Sequence, residues 1–240
     1  MKHVCFFLVL SSITAIGCFE EEDSCNVRTP GIYVEYEVSE QGENAAVQAT
    51  FWVGDDPGGT YLELGACGDT ISVNGTKLHE SGGNPTRYTG NVSATGEYEF
   101  VLNRPEEGAY SSVAYSDGPL LMTAPVGSPI SRDDDIMVEW SDPSSGQIHL
   151  SLQSSCFESV YEIVTNDGEY VIAAEALQMY PYYCTQICTA HVDLIRYFYG
   201  DISPSLKGTL RGDVRAASYF DSTPATGEVP YTPDTDSGNP

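Results

Sequence analysis

Basic residues are scarce in this sequence. It holds 10 lysines and arginines against 35 aspartates and glutamates, which gives a formal net charge of −25 over 240 residues. Nucleic-acid-binding surfaces need a basic footprint, so we expect no nucleic-acid partner. The same charge repels anionic polymers and anionic membrane surfaces. We interpret it as an acidic surface that keeps the protein soluble.

The sequence also lacks the motifs that carry catalysis in well-known enzyme families. It contains no G-x-S-x-G elbow, no H-E-x-x-H pair and no G-x-x-x-x-G-K-[ST] loop, and it has only 4 histidines. We therefore expect no catalytic residue, no cofactor and no enzymatic activity. The alternative is a secreted hydrolase or a metal-dependent enzyme with an unrecognised site, because catalytic carboxylates need not be neighbours in sequence.

Long apolar segments are missing as well, and the clearest apolar run lies at the N-terminus. It covers Val4–Ile16 and follows a short head that contains Lys2. A membrane-spanning helix needs about 20 apolar residues, so this run is too short to span. A positive head, a short apolar core and a small residue such as Gly17 are typical of a secretory signal peptide. We predict that residues 1–17 form one.

The tetrapeptide Ala15-Ile16-Gly17-Cys18 resembles the lipobox of bacterial lipoproteins. It departs from the family pattern at Ala15, where Leu is usual, and at Ile16, where a smaller residue is commoner. The resemblance implies cleavage before Cys18, lipidation of Cys18 and attachment to a membrane of the cell envelope. By the same resemblance, Phe19 in place of Asp favours the outer membrane. The alternative is an ordinary signal peptide, with Cys18 as a disulfide partner.

After the anchor, apolar and polar residues alternate in short runs that are separated by turn signals. Ile32, Val34, Tyr36 and Val38 share one face of the first run, and Asn74-Gly75 is typical of a two-residue hairpin turn. Short strands with frequent turns indicate β-sandwiches. We predict an all-β protein with two tandem immunoglobulin-like or fibronectin-like sandwich domains over residues 31–118 and 119–222, an acidic linker over 18–30 and a disordered tail over 223–240.

One stretch of the second half carries a weaker family resemblance. In residues 124–140, a Pro- and Gly-rich entry precedes a strand that ends in Trp140. This arrangement resembles the opening of fibronectin- or immunoglobulin-like modules in bacterial surface proteins. The resemblance implies that Trp140 lies on the core face of its strand, where it anchors the sandwich.

Cysteines follow Cys18 at five positions, namely Cys25, Cys67, Cys156, Cys184 and Cys188. An exported protein permits disulfides, and the odd number leaves one thiol free or bonded to another chain. Cys25 with Cys67 suits the first half, and Cys156 with either Cys184 or Cys188 suits the second. Zinc binding by the second group with His191 is the alternative. It is disfavoured because two of these cysteines are four residues apart on a strand, about 13 Å.

Calcium is another metal that an acidic chain can bind. Asp133-Asp134-Asp135 offers carboxylates, but calcium needs six to eight converging oxygens, and the run does not match the regular calcium-binding loop. We predict solvated turn residues there and no metal site in the protein.

Aromatic clusters are the best candidates for binding residues. One contains Tyr180, Tyr182 and Tyr183, and the other contains Tyr197, Phe198 and Tyr199. Aromatic rings can stack on sugars or anchor protein partners. The alternative is that half of each cluster packs into the sandwich.

Taken with the N-terminal signal, these clusters lead to an expected function. We expect a membrane-tethered envelope lipoprotein with a non-enzymatic binding or structural role, and an envelope protein or a glycan as its partner. An assembly factor that offers a strand or loop to its partner is a further alternative.

Overall fold

The computed structural model describes residues 2–6, 17–65, 67–82, 84–127, 129–141, 143–180 and 187–224. Within these ranges helical structure is confined to single 3-10 turns at Ser24–Asn26, Thr29–Gly31 and Ala174–Ala176. The all-β fold class is therefore confirmed. None of the helices in the described ranges is long and apolar enough to cross a membrane.

The strands of the described chain are, in order, β1 (Lys2–Phe6), β2 (Gly17–Asp23), β3 (Ile32–Gln41), β4 (Asn44–Val53), β5 (Tyr61–Glu63), β6 (Thr70–Val73), β7 (Thr76–Lys77), β8 (His79–Ser81), β9 (Asn84–Ser93), β10 (Glu97–Arg104), β11 (Gly108–Tyr115), β12 (Met122–Ala124), β13 (Ile130–Ser131), β14 (Ile136–Trp140), β15 (Gln147–Ser154), β16 (Val160–Thr165), β17 (Glu169–Ile172), β18 (Cys188–Asp201) and β19 (Lys207–Thr223).

The chain folds into two compact units. Unit 1 contains Met1–Pro119 and Tyr197–Asp213, and unit 2 contains Leu120–Arg196 and Val214–Pro240. The long strands β18 and β19 each pass from one unit into the other. Residues 197–213 thus belong to unit 1, although they fall within the predicted domain 119–222. The number and bounds of the sandwich domains stay a prediction.

The strands of unit 1 form a hydrogen-bonded ladder that closes on itself. β3 pairs with β4, β4 with β9, and β9 with β8. Leu78 connects β7 to β8, and the Leu78 N–H donates to the carbonyl of Ile71. β7 pairs with β6. From β6 the ladder continues through β10, β11, β18 and β19 back to β3.

The core of unit 1 follows the alternation of the sequence. Ile32, Val34, Tyr36 and Val38 are at most 1% exposed, which confirms the predicted inner face of β3. The ring of Tyr36 stacks on that of Phe100, with centroids 4.5 Å apart.

The predicted hairpin turn is also present in unit 1. Asn74 and Gly75 both have positive φ angles, 47° and 78°, and connect β6 to β7. An Asn-Gly pair tolerates these angles at little cost, which is why it favours a two-residue turn.

The acidic N-terminal segment lies against unit 1. β2 pairs with β5 in parallel, with Glu21 beside Tyr61. A disulfide joins Cys25 to Cys67. The predicted linker over residues 18–30 therefore contains a strand and two 3-10 turns, because backbone pairing and a covalent bond hold it in place.

Unit 2 is built around the tryptophan that the sequence singled out. β14 lies between β12 and β17, and Trp140 at its end is 4% exposed. The Trp140 Nε1–H donates to Oδ1 of Asn166 at 2.7 Å, so the buried indole has its hydrogen-bond partner. The other strands of this unit include β15, which pairs with β16 on one side and with β18 on the other. The predicted core position of Trp140 is confirmed.

Candidate functional site

The aromatic candidates are separated by the alternation of β18. Tyr197 is 49% exposed and Tyr199 is 77% exposed, whereas Phe198 is 9% exposed and stacks on Tyr98 inside unit 1. In unit 2, Tyr180 is 40% exposed. Tyr182 and Tyr183 lie outside the described residues. Of the predicted binding residues on β18, the two tyrosines therefore lie on the surface. That they bind a partner stays a prediction.

The neighbours of these tyrosines follow from glycines on the inner face. A Cβ added to Gly212 would lie 2.1 Å from the Phe198 ring, and one added to Gly200 would lie 2.6 Å from Leu210. Phe198 thus stands opposite Gly212, and Gly200 opposite Leu210. Because successive residues of a strand point to opposite faces, Tyr199 lies beside Arg211 on the outer face.

Two further exposed tyrosines lie next to Tyr199, one on the neighbouring strand β11 and one on β18 itself. Ala114 pairs with Gly200 in an antiparallel ladder, so exposed Tyr115 of β11 lies next to Tyr199. Tyr197 precedes Tyr199 by two residues and falls beside Asp213 of β19. We call Tyr115, Tyr197 and Tyr199 the tyrosine strip.

Polar side chains extend this outer face across β19, β3, β4 and β9. Both Nε and Nη2 of Arg211 donate to Oε1 of Glu37. Gln48 stands opposite Glu37, and its Nε2 donates to Oε2 of that carboxylate at 2.9 Å. Thr89 stands opposite Gln48 on β9. One continuous row therefore runs from Tyr199 through Arg211, Glu37 and Gln48 to Thr89.

A second row lies directly beside the first. Ser39 Oγ donates to Oδ2 of Asp213 at 3.0 Å, Ala46 stands opposite Ser39, and Asn91 stands opposite Ala46. Tyr197 begins this row on β18. Strand backbones hold both rows, so neighbours within a row are about 4.8 Å apart and the two rows, which are two residues apart along each strand, are about 6.7 Å apart.

The two rows enclose a groove of about 420 Å³ over β3, β4 and β9. Ala46 creates the depression, because its methyl group lies between longer polar side chains, while Gly90 beside it faces inward opposite buried Val47. We call this site the polar groove, and it is lined by Glu37, Ser39, Ala46, Val47, Gln48, Thr89, Gly90 and Asn91.

The charge of Arg211 is fixed by its neighbours. The hydrogen bond and the charge of Glu37 raise the pKa of the Arg211 guanidinium, and Glu35 raises it further. The guanidinium is therefore a permanent donor at the edge of the groove. Arg211 and Asp213 belong to an R-G-D tripeptide. This tripeptide lies within strand β19, and its Gly212 therefore points inward.

Two disulfides account for four of the cysteines. Cys25 bonds to Cys67, and Cys156 bonds to Cys188, with Cα atoms 5.5 and 6.1 Å apart. The predicted Cys25–Cys67 pair is present, and of the two alternatives for Cys156 the structure has Cys188. Cys184 lies outside the described residues. Disulfides of this kind occur in oxidising compartments.

Potential metal ligands come together at one place among the described residues. In the described part of the chain, one group of acidic, histidine or cysteine side chains is close enough to hold an ion, namely Asp23, Cys25 and Cys67. Its two sulfurs are bonded to each other and are not thiolate ligands. His191 stacks on Tyr219 and lies 3.2 Å from Asp193, so its ring contacts a carboxylate and an aromatic face.

No family model matches the sequence, and a search of curated proteins finds no significant match.

Proposed function

We propose that this protein is a lipid-anchored protein of the bacterial cell envelope, on the outer membrane, and that it binds a partner without catalysing a reaction. The observation that carries the binding role is the outer face of unit 1, where the polar groove adjoins the tyrosine strip. Grooves with several convergent polar groups and exposed aromatic rings are typical of binding surfaces.

The envelope location is supported by two independent features. The lipobox-like tetrapeptide ends in Cys18 at the close of the apolar run. The Cys25–Cys67 and Cys156–Cys188 disulfides suit an oxidising compartment, because cytosolic thiols are kept reduced. Several acyl chains on Cys18 would supply stable attachment, which a single chain does not.

The position of Cys18 also limits how far the body can stand from its anchor. β2 begins at Gly17, and its pairing with β5 starts at Glu21. Three residues of extended chain span about 10 Å. A lipid on Cys18 would therefore hold unit 1 close to the membrane surface, so that the anchor limits the orientation of the groove.

Fractionation of cells tests the anchoring. The wild-type protein should sediment with outer membranes and require detergent for release. The Cys18→Ser variant should appear in the soluble periplasmic fraction if it is still exported. Cys25→Ser is the matched control, because it removes a different cysteine of the same segment and should leave the protein on the membrane. Equal sedimentation of the Cys18→Ser variant would contradict the proposal.

A further inference from the structure

We propose that the polar groove and the tyrosine strip together form a binding site for a neutral polysaccharide or oligosaccharide. This inference rests on the proposed function, since it names the class of ligand that the outer face of unit 1 binds.

The hydrogen-bonding groups of the groove match a ligand that is rich in hydroxyls. A sugar hydroxyl both donates and accepts, so its site needs both kinds of partner. Glu37 and Asp213 supply carboxylate acceptors, and the guanidinium of Arg211 supplies donors. Gln48 and Asn91 carry amides, which offer a donor and an acceptor in one planar group.

These groups are held in place before a ligand arrives. Glu37 is bonded to Gln48 Nε2 at 2.9 Å and to Arg211 Nε at 3.0 Å, and Ser39 is bonded to Asp213 at 3.0 Å. Side chains on a paired strand lose less freedom on binding than side chains on a loop. A weakly hydrophobic ligand such as a sugar chain benefits most from this preorganisation, because little apolar burial offsets the entropy cost.

The tyrosine strip supplies the flat surface that sugar rings need. Tyr199 is 77% exposed and stands directly beside Arg211, at the end of the groove. Aromatic faces pack against the C–H faces of a pyranose ring. From Tyr199 to Thr89 the row crosses four strand intervals, about 19 Å. That length suits an extended chain of several sugar units.

Charge selects a neutral ligand. The site presents the carboxylates of Glu37, Asp213 and nearby Glu35 against the guanidinium groups of Arg211 and Arg87, and the whole chain carries −25. An anionic glycan would be repelled by both. A protein partner is disfavoured because charged Glu37 lies among the lining residues, together with polar Ser39, Gln48, Thr89 and Asn91, whereas the core of a protein interface is depleted of charged residues.

Glycan-array binding with the full-length protein in detergent micelles tests the proposal. The array carries neutral glucans, mannans, galactans and xylans beside sulfated and sialylated glycans. We expect binding to one class of neutral glycan, and titration calorimetry with its oligosaccharide then measures the Kd. Tyr199→Ala and Asn91→Ala should each raise the Kd about tenfold or more, because the first removes the stacking ring and the second removes an amide from the groove.

The matched control is Tyr219→Ala, which removes another exposed tyrosine, from unit 2, and should leave the Kd unchanged. Circular dichroism checks that each variant is folded. An array without neutral binders, a preference for anionic glycans, or a Kd that Tyr199→Ala and Asn91→Ala leave unchanged would overturn the inference.

Two further variants separate this inference from the proposed function. Cys18→Ser should keep the Kd for the glycan while it leaves the membrane, so a failure of anchoring does not affect the array result. In another outcome no neutral glycan binds, but an envelope protein co-purifies with the wild-type chain and not with the Asn91→Ala variant. The ligand class is then wrong and the binding role stands.

Discussion

Replacement of Arg104 by Met should destabilise unit 1 more than any exposed substitution. Arg104 is 4% exposed at the end of β10. Its Nε donates to Oδ2 of Asp69 at 3.0 Å, and its Nη2 donates to the carbonyls of Ser24 and Val27 at 2.7 and 2.8 Å. Nη1 donates to Thr29 Oγ1 at 2.9 Å. The guanidinium therefore fastens the N-terminal segment to the body.

The magnitude follows from what the substitution leaves behind. Asp69 is 6% exposed, so Arg104→Met leaves a buried carboxylate without its cation. Breaking a buried ion pair on one side costs about 3–5 kcal/mol, which is a large part of the 5–15 kcal/mol that typically stabilises a domain. Arg104→Lys keeps the charge but loses the planar fork, so we expect a loss of about 2 kcal/mol.

Urea denaturation followed by far-UV circular dichroism measures these changes. Arg87→Met is the control, because Arg87 is exposed on β9 and its loss should change the free energy of unfolding by less than about 0.5 kcal/mol. Arg104→Met with Asp69→Leu should recover part of the loss, since the unpaired charge is gone. A loss below about 1 kcal/mol in Arg104→Met, with an unchanged denaturant slope, would refute the reasoning.

Three further predictions concern burial, covalent bonds and packing. Burial raises the pKa of Tyr88 to about 12 from an ordinary value of 10, so the protonated phenol stabilises the folded state fully below pH 10 and this stabilisation is lost as the pH rises towards 12. Unfolding curves measured at increasing pH should show the free energy of unfolding fall by about 2–3 kcal/mol, and the Tyr88→Phe variant should not show this fall. The two disulfides span 42 and 32 residues, and reduction of each should lower the free energy of unfolding by about 4 kcal/mol. A thermal unfolding curve that reductant leaves unchanged would contradict their role in stabilising the fold. Gly212→Ala places a methyl group against the Phe198 ring and should cost about 1–3 kcal/mol in urea titration, but little when it is introduced into a Phe198→Ala background, where the ring is absent.

The sequence predicts the local part of the fold because strand periodicity is a local property. Alternation at Ile32–Val38 identifies the buried face of β3, and all four predicted inner side chains are at most 1% exposed. The Asn74-Gly75 turn is predicted for a stereochemical reason, since those residues tolerate positive φ.

The long-range pairing could not be predicted from periodicity. Alternation shows which face of β18 is buried, but it does not show that Tyr197–Asp213 belongs with unit 1. The polar groove was missed for the same reason, because its rows join Arg211 to Glu37 and Asp213 to Ser39 across 174 residues of sequence. Outward polar residues of three separate strands carry no shared local signal. The glycines opposite Phe198 and Leu210 are the nearest clue, since each marks a close approach of two strands.

The most direct test of the central claim is metabolic labelling with a palmitate analogue, followed by mass spectrometry of the mature N-terminal peptide. The wild-type protein should carry the label on Cys18, with cleavage directly after Gly17. The Cys18→Ala variant should carry none, while Cys25→Ala, which lies seven residues further along the same segment, should be labelled normally. An unlabelled wild-type protein, or label retained by Cys18→Ala, would contradict the account.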